Sequence, residues 1–430
     1  MNKTITKYRW TICSLIFFAT TINYIDRNVI SYLKSTFTTE MGWTDADYTN
    51  VEIVFKVFYS LGMLGAGRLI DKLGTKIGYG LATILWSIAG ICTAFVNTVL
   101  GFAIVRGALG LTEAGNFPSA IKTVAEWFPK KERAFATGIF NSGANIGAII
   151  TPLTIPYIIQ HWSWQTAFVI TGLLGIVWVA FWFWLYEIPQ KHEKVSAEEL
   201  AYIESDKDEI VADNSPKLSW GKLLTYKQTW AFAIGKFLTD PIWWFYLFWL
   251  PDFLNNQYGL KGTEVALPVA IVYVIASFGS IGGGFLPMKL IEKGWPVFKA
   301  RKTSMLIYAF FVLPIIFAQL AGGLSMWLAV FIIGLAAAAH QAWSANIFTT
   351  VSDMFPKRAT ASVTGIGGMF GGLGGILLSV LVQKRMFVYY ESIGQIQTGY
   401  YIMFFICGAA YLLAWFIMHL LVPKMKPIDL

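Results

Sequence analysis

Twelve long apolar runs constrain this 430-residue chain more than any other feature. They lie near 10–33, 47–67, 77–96, 98–122, 133–158, 163–187, 228–254, 264–288, 303–321, 323–349, 359–383 and 397–421. A helix needs about 20 mainly apolar residues to cross roughly 30 Å of hydrocarbon. Strands of a membrane barrel would alternate over about ten residues, whereas these runs are continuous. Only 13% of the residues are charged, where soluble domains carry about 25%. The expected fold class is an all-α membrane protein with twelve transmembrane helices, and disordered, collagen-like and soluble-enzyme classes are excluded.

The net charge of +8 sits in short basic clusters between the runs, so it reads as membrane topology and not as nucleic-acid binding. With the N-terminus inside, the inner loops carry Arg68, Lys72 and Lys76, then Lys130, Lys131 and Arg133, then Lys289, Lys293, Lys299, Arg301 and Lys302, then Lys357 and Arg358. Lys34, Lys261, Lys384 and Arg385 fall outside. This asymmetry predicts that both termini are cytoplasmic. Lys3, Lys7 and Arg9 precede the first run, but that run is too long for a secretory signal core, so it reads as a retained span. Cys13, Cys92 and Cys407 are too few and too scattered for a disulfide or zinc framework and are expected to pack as small residues.

One polar stretch interrupts the pattern and divides the chain into a six-helix bundle over 1–187, a cytoplasmic loop over 188–226 and a second six-helix bundle over 227–430. Ser196-Ala-Glu-Glu199 has capping-box spacing and predicts a short surface helix, ended by Asn214-Ser-Pro216. The halves echo each other. A shift of 227 lays Phe128–Ile139 on Phe355–Ile366 with seven of twelve positions identical, and Gly67–Lys76 resembles Gly284–Gly294. Parallel six-helix repeats imply alternating access around a site near the membrane midplane.

The segment Gly67-x-x-x-Asp71-Lys72-x-Gly74-x-Lys76 resembles the loop signature of the major facilitator superfamily. The resemblance implies two pseudo-symmetric six-helix bundles. Gly67 and Gly74 are read as permitting a tight helix-to-helix turn, and Asp71 as pairing with a basic residue on a facing helix to latch the inner gate.

Charges inside the spans are costly, at least about 2.5–3.5 kcal/mol each on insertion scales. Span 1 holds Asp26 and Arg27, span 4 holds Arg106 and Glu113, and span 7 holds Lys236 and Asp240. These groups either neutralise one another as structural pairs or form the transport machinery. At about 1.5 Å per residue, Asp26 and Arg106 lie at similar depth and could pair, with Glu113 about 10 Å further in on the face of Arg106. That leaves Arg27 as an unpaired cation for a substrate carboxylate, which suits a bidentate guanidinium. Lys236 would face it across the cavity. His340, Gln341 and Ser344 share a face of span 10 and either contact substrate hydroxyls or, for His340, bond another helix. Asn141 and Asn145 share a face of span 5 as further substrate contacts. The aromatic run Trp243–Tyr246 and the glycines of 365–375 read mainly as packing, and Glu52 with Lys56 as a local pair.

Tyr24-x-Asp26-Arg27-Asn28, Tyr59, Arg106 and Glu113 resemble the anion:cation symporters. Trp127-Phe-Pro-x-Lys131-Glu-Arg133, Gly74–Tyr79 and His340-Gln-Ala-x-Ser344 look closest to the bacterial hexuronate transporters within that family. The resemblance implies Arg27 and Tyr59 as substrate ligands, Asp26 and Glu113 as proton carriers, and Arg106 as tuning Asp26. The expected function is proton-coupled symport of a sugar acid, either a hexuronate or an aldonate. An organophosphate/phosphate antiporter and a non-transporting sugar-acid sensor are the alternatives. The expected partners are a small organic anion, a proton and the bilayer, and the chain is expected to act as a monomer. No metal, cofactor, nucleic acid or enzymatic motif is expected.

Overall fold

The computed structural model describes residues 6–205, 219–260, 262–379 and 384–428. Lys3, Asn214-Ser-Pro216 and Lys261 lie outside them. Among the described residues there is no strand. The helices are α1 Tyr8–Asn28, α2 Lys34–Met41, α3 Asp45–Leu73, α4 Thr75–Thr93, α5 Val99–Glu113, α6 Asn116–Trp127, α7 Lys130–His161, α8 Trp164–Leu185 and α9 Ala197–Ile203. They continue with α10 Trp220–Leu223, α11 Lys227–Tyr258, α12 Ala266–Glu292, α13 Val297–Val312, α14 Ala318–Leu324, α15 Met326–Met354, α16 Lys357–Leu377, α17 Lys384–Ser392 and α18 Ile396–Leu421. The twelve spans are α1, α3, α4, α5 with α6, α7, α8, α11, α12, α13 with α14, α15, α16 and α18. The first and last described residues lie on one face of the bundle, called the terminal face below.

Among the described residues, nine spans are long and apolar enough by themselves to cross a membrane. The other three, α1, α5 with α6, and α11, hold Asp26, Arg27, Arg106, Glu113, Lys236 and Asp240. Three predicted spans are not continuous helices. The first ends at Asn28 and passes through a 3-10 turn, Val29–Tyr32. The fourth breaks immediately after Glu113 and restarts at Asn116. The ninth has a 3-10 segment, Leu313–Phe317, opened by Pro314. It also starts earlier than its apolar run, so Arg301 and Lys302 belong to α13 and not to a loop.

The echo between halves is visible in the backbone. Pro129 and Pro356 cap α7 and α16 with nearly equal geometry, φ −63°, ψ 152° and φ −65°, ψ 153°. Gly74 and Gly294 turn the corners after α3 and α12 at φ +80° and +88°, conformations that glycine adopts without a Cβ penalty. Gly67 does not make a turn. It lies inside α3, where a Cβ would collide with the Ala361 carbonyl oxygen of α16. Its counterpart Gly284 on α12 meets the Ala134 carbonyl of α7 in the same way, and Ala134 and Ala361 are equivalent positions of the repeat. Gly365 against the Met63 carbonyl and Gly138 against the Ser280 carbonyl complete the symmetry. The most extensive contacts between the two halves are made by two helix pairs, α3 with α16 and α7 with α12, brought together by residues without side-chain bulk.

The linker is more firmly attached than a solvated loop. Ser196 caps α9 by accepting from the Glu199 N–H, but Glu199 does not close a capping box. Its buried carboxylate instead accepts from Arg9 Nη1 at 3.0 Å, from the Tyr8 and Arg9 backbone N–H groups, and from Thr6 Oγ1. The first turn of α1 has no acid of its own, so Glu199 satisfies its free N–H groups and complements its dipole. Glu132 joins the cluster through Arg9 Nε at 3.0 Å and Tyr202 at 2.7 Å. Cys13 and Cys407 are buried as expected, whereas Cys92 is exposed on α4.

Candidate functional site

A cavity of about 70 Å³ lies between the halves, room for about two waters at liquid density. Its N-half wall is built by Tyr24 and Arg27 of α1, Tyr59 of α3, Phe117 of α6 and Asn141 of α7. Its C-half wall is built by Lys236, Asp240, Trp243 and Trp244 of α11, and by His340, Gln341, Ser344 and Phe348 of α15. Seven of the eight residues expected to contact substrate line it. The exception is Asn145, which is fully buried and accepts a hydrogen bond from Gln341 Nε2 at 3.1 Å.

Arg27 does not stand unpaired. Its Nε donates to Glu113 Oε2 at 3.1 Å, and its guanidinium lies between the rings of Tyr24 and Tyr59, 4.7 and 4.5 Å from their centroids. Tyr24 lies three residues before Arg27 on the same helix, within the spacing that brings side chains together. Glu113 is the last residue of α5. The other oxygen of Glu113 has no protein partner.

Asp26 and Arg106 share a depth but do not form the expected ion pair. Arg106 Nη2 donates to the Arg27 carbonyl oxygen at 3.1 Å, and its guanidinium packs on Phe55 at 4.7 Å. Phe55 also lies 5.4 Å from the Arg27 guanidinium, so one ring is shared by the two cations. The buried Asp26 carboxylate has the Thr171 side chain of α8 as a polar neighbour, and Nε and Nη1 of Arg106 are buried without a protein hydrogen bond. Equal depth placed these groups in one layer, but side-chain direction on each helix decided their partners.

On the opposite wall Lys236 Nζ pairs with Asp240 at 2.8 Å, one turn along α11, and lies 3.9 Å from the Phe348 centroid. Gly371 of α16 leaves room for that carboxylate, since a Cβ there would collide with Asp240 Oδ2. His340 is oriented by Tyr411, which meets its Nδ1, and by Trp243, stacked at 5.0 Å with an 8° interplanar angle. The inter-helix bond and the cavity position thus hold for the same histidine. Asn141 Nδ2 donates to Gln341 Oε1 at 2.6 Å and lies 3.4 Å from Ser280 Oγ. With Asn145, these groups form a buried polar seam joining α7, α12 and α15.

Sequence reading missed Phe55, Phe348, Tyr411 and Ser280. Phe55 precedes Tyr59 by four residues and Phe348 follows Ser344 by four, so helical spacing could have placed both. Tyr411 and Ser280 carry no such signal, because their partners come from helices distant in sequence.

The terminal face holds the remaining expected residues. Asp71 pairs with Lys122 of α6 at 2.9 Å within its own half. Its second oxygen accepts from the N–H and hydroxyl of Ser362 at 2.7 and 2.6 Å, so the bond between halves is to a neutral residue of α16. Lys76 pairs with Glu187 at 2.9 Å, and this bond holds the Glu187 carboxyl below its usual range. Lys72 is exposed. A second connection between halves runs from fully buried Arg301, which bonds Asp353 and the Lys130 carbonyl, each at 2.7 Å. Arg133 adds a bond to the Ser352 carbonyl.

The Major Facilitator Superfamily model matches residues 16–379. The hexuronate transporter of Escherichia coli (strain K12) is 31% identical over 375 residues, 87% of each chain. The galacturonate transporter of Dickeya chrysanthemi is 35% identical over 290 residues, 67% of this chain and 84% of that one. Among solved structures, the proton:xylose symporter XylE bound to 6-bromo-6-deoxy-D-glucose matches with a TM-score of 0.76 at 15% identity, over 97% of both chains. That likeness shows the shared fold. With twelve spans, two interlocked repeats and relatives that move sugar acids, the chain belongs to the major facilitator superfamily of membrane transporters.

Proposed function

We propose that the protein is a proton-coupled symporter of a sugar acid, a hexuronate such as galacturonate or glucuronate or a related aldonate, working by alternating access. The observation that carries this reading is the Arg27–Glu113 pair, 3.1 Å apart, at the wall of a cavity lined by both halves. An arriving carboxylate competes with Glu113 for the guanidinium, since Arg27 offers bidentate geometry. A buried carboxylate that loses its cation tends to take up a proton, so substrate and proton enter together. Asp26 is the second proton carrier, tuned by Arg106. Tyr59, Asn141, Gln341, Ser344 and His340 contact the sugar. The terminal face is cytoplasmic, because the basic loops gather there, and the membrane is the bacterial inner membrane. The protein acts as a monomer, with the proton as coupling ion and no cofactor.

The test is uptake of radiolabelled galacturonate and glucuronate into proteoliposomes, with and without an inward proton gradient. Wild type accumulates label only with the gradient, and Arg27→Ala abolishes uptake. Glu113→Gln loses accumulation but retains exchange of preloaded substrate. Loss of all exchange in folded Glu113→Gln would remove the proton role, and undiminished uptake by Arg27→Ala would remove the substrate site. Exchange for internal phosphate without a response to pH would favour an antiporter.

A further inference from the structure

Asp26, Arg27, Arg106, Glu113, Lys236 and Asp240 are three acids and three bases, and their charges sum to zero. On the N-half wall Arg27 is matched by Glu113 at 3.1 Å. On the C-half wall Lys236 is matched by Asp240 at 2.8 Å, and both line the same cavity. The second pair is held tightly in place. Lys236 rests on Phe348, which stacks on Phe117 with centroids 5.2 Å apart. Asp240 lies against the bare backbone of Gly371. Pro241, the next residue, frees the Phe237 carbonyl four positions back, and Gly374 lets α16 approach that carbonyl. The carboxylate is therefore presented to the cavity by the packing of two helices.

The geometry points to Asp240 as the residue that restricts the substrate to sugar acids with a single carboxylate, by opposing a second carboxylate at the far end of the molecule. This rests on the sugar-acid reading above. A monoacid bound to Arg27 presents a hydroxyl-bearing end to α11. A hydroxyl both donates and accepts, so it can satisfy Asp240 and Lys236 together. A sugar oxidised to carboxylates at both ends has only acceptors there when ionised. Its second carboxylate gains Lys236 but meets Asp240, and like charges brought together in a partly desolvated site are strongly disfavoured. The pair thus works as negative selection as well as attachment.

The test measures binding of galacturonate and of its diacid analogue galactarate to purified full-length protein, by intrinsic tryptophan fluorescence, in wild type, Asp240→Asn and Lys236→Gln. Wild type binds galacturonate more tightly than galactarate. Asp240→Asn shifts the ratio of the two Kd values toward the diacid by on the order of tenfold, whatever change is common to both ligands. Lys236→Gln shifts the ratio the other way, so this variant carries the test if Asp240→Asn does not fold. An unchanged ratio in the folded variants, with wild type binding galacturonate, overturns the selective role alone. Failure of wild type to bind either acid overturns both this inference and the sugar-acid reading.

Discussion

The proposed mechanism turns on Arg27, whose guanidinium is already engaged by Glu113 and flanked by Tyr24 and Tyr59. Two aromatic faces hold the guanidinium, so it remains oriented when its carboxylate partner changes. Glu113 occupies one edge, and its other oxygen has no protein partner. Gln341 does comparable work between the halves, accepting from Asn141 and donating to Asn145. Each of those asparagines is nearly or fully buried. Truncating Gln341 would leave polar groups buried without partners, at about 1–3 kcal/mol for each. Gln341→Ala is therefore expected to lower the melting temperature of the detergent-solubilised protein, whereas Ser344→Ala, at the cavity wall, should leave it close to wild type. Equal melting temperatures for the two variants would show that the amide seam does not stabilise this state.

At the scale of elements, the helices approach closest where glycine faces a backbone carbonyl. Gly67 and Gly365 join α3 to α16, while Gly138 and Gly284 join α7 to α12. Such contacts depend on shape, so adding side-chain volume should separate the helices at a cost of about 1–3 kcal/mol, the usual range for overpacking. A cysteine introduced as Ala361→Cys lies in a fully buried position and should resist thiol reagents in an otherwise cysteine-free protein. Adding Gly67→Leu should raise its labelling rate by roughly tenfold, as expected for about 1.4 kcal/mol. Unchanged labelling would mean that this contact does not hold the terminal face closed. Helix breaks have an equally local cause. The fourth span is interrupted between Glu113 and Asn116, which puts an acid at the end of α5.

At the scale of the whole molecule, the two repeats interlock crosswise, each placing its second span against the fifth span of the other half. The glycine contacts follow the pseudo-symmetry, but the polar connections on the terminal face depart from it. Asp71 reaches Ser362, whereas its counterpart near Gly284 is Met288, which cannot form that bond. The opposite side relies instead on Arg301, with Asp353 and the Lys130 carbonyl. Breaking a buried pair by removing one partner costs about 3–5 kcal/mol, and Arg133, 3.8 Å from Asp353, should keep the loss near the lower end. Arg301→Met is accordingly expected to favour opening of the terminal face. Spin labels on α7 and α12 near that face would report a population at longer distance. A distribution identical to wild type would place the closure elsewhere.

The spans, the basic clusters, the repeat and the rarity of intramembrane charge are all local properties, so the sequence alone was enough to read a two-bundle transporter and to gather most cavity residues. Helical spacing placed His340, Gln341 and Ser344 on one face, and depth counting put Asp26 level with Arg106. Partner choice was not legible in the same way. Arg27 pairs with Glu113 of α5, Asn145 bonds Gln341, the Glu199 side chain of α9 reaches across to the start of α1, and Gly67 meets α16 instead of making a turn. Depth and periodicity locate a side chain along and around its own helix. Only the packing of helices distant in sequence decides what it meets there.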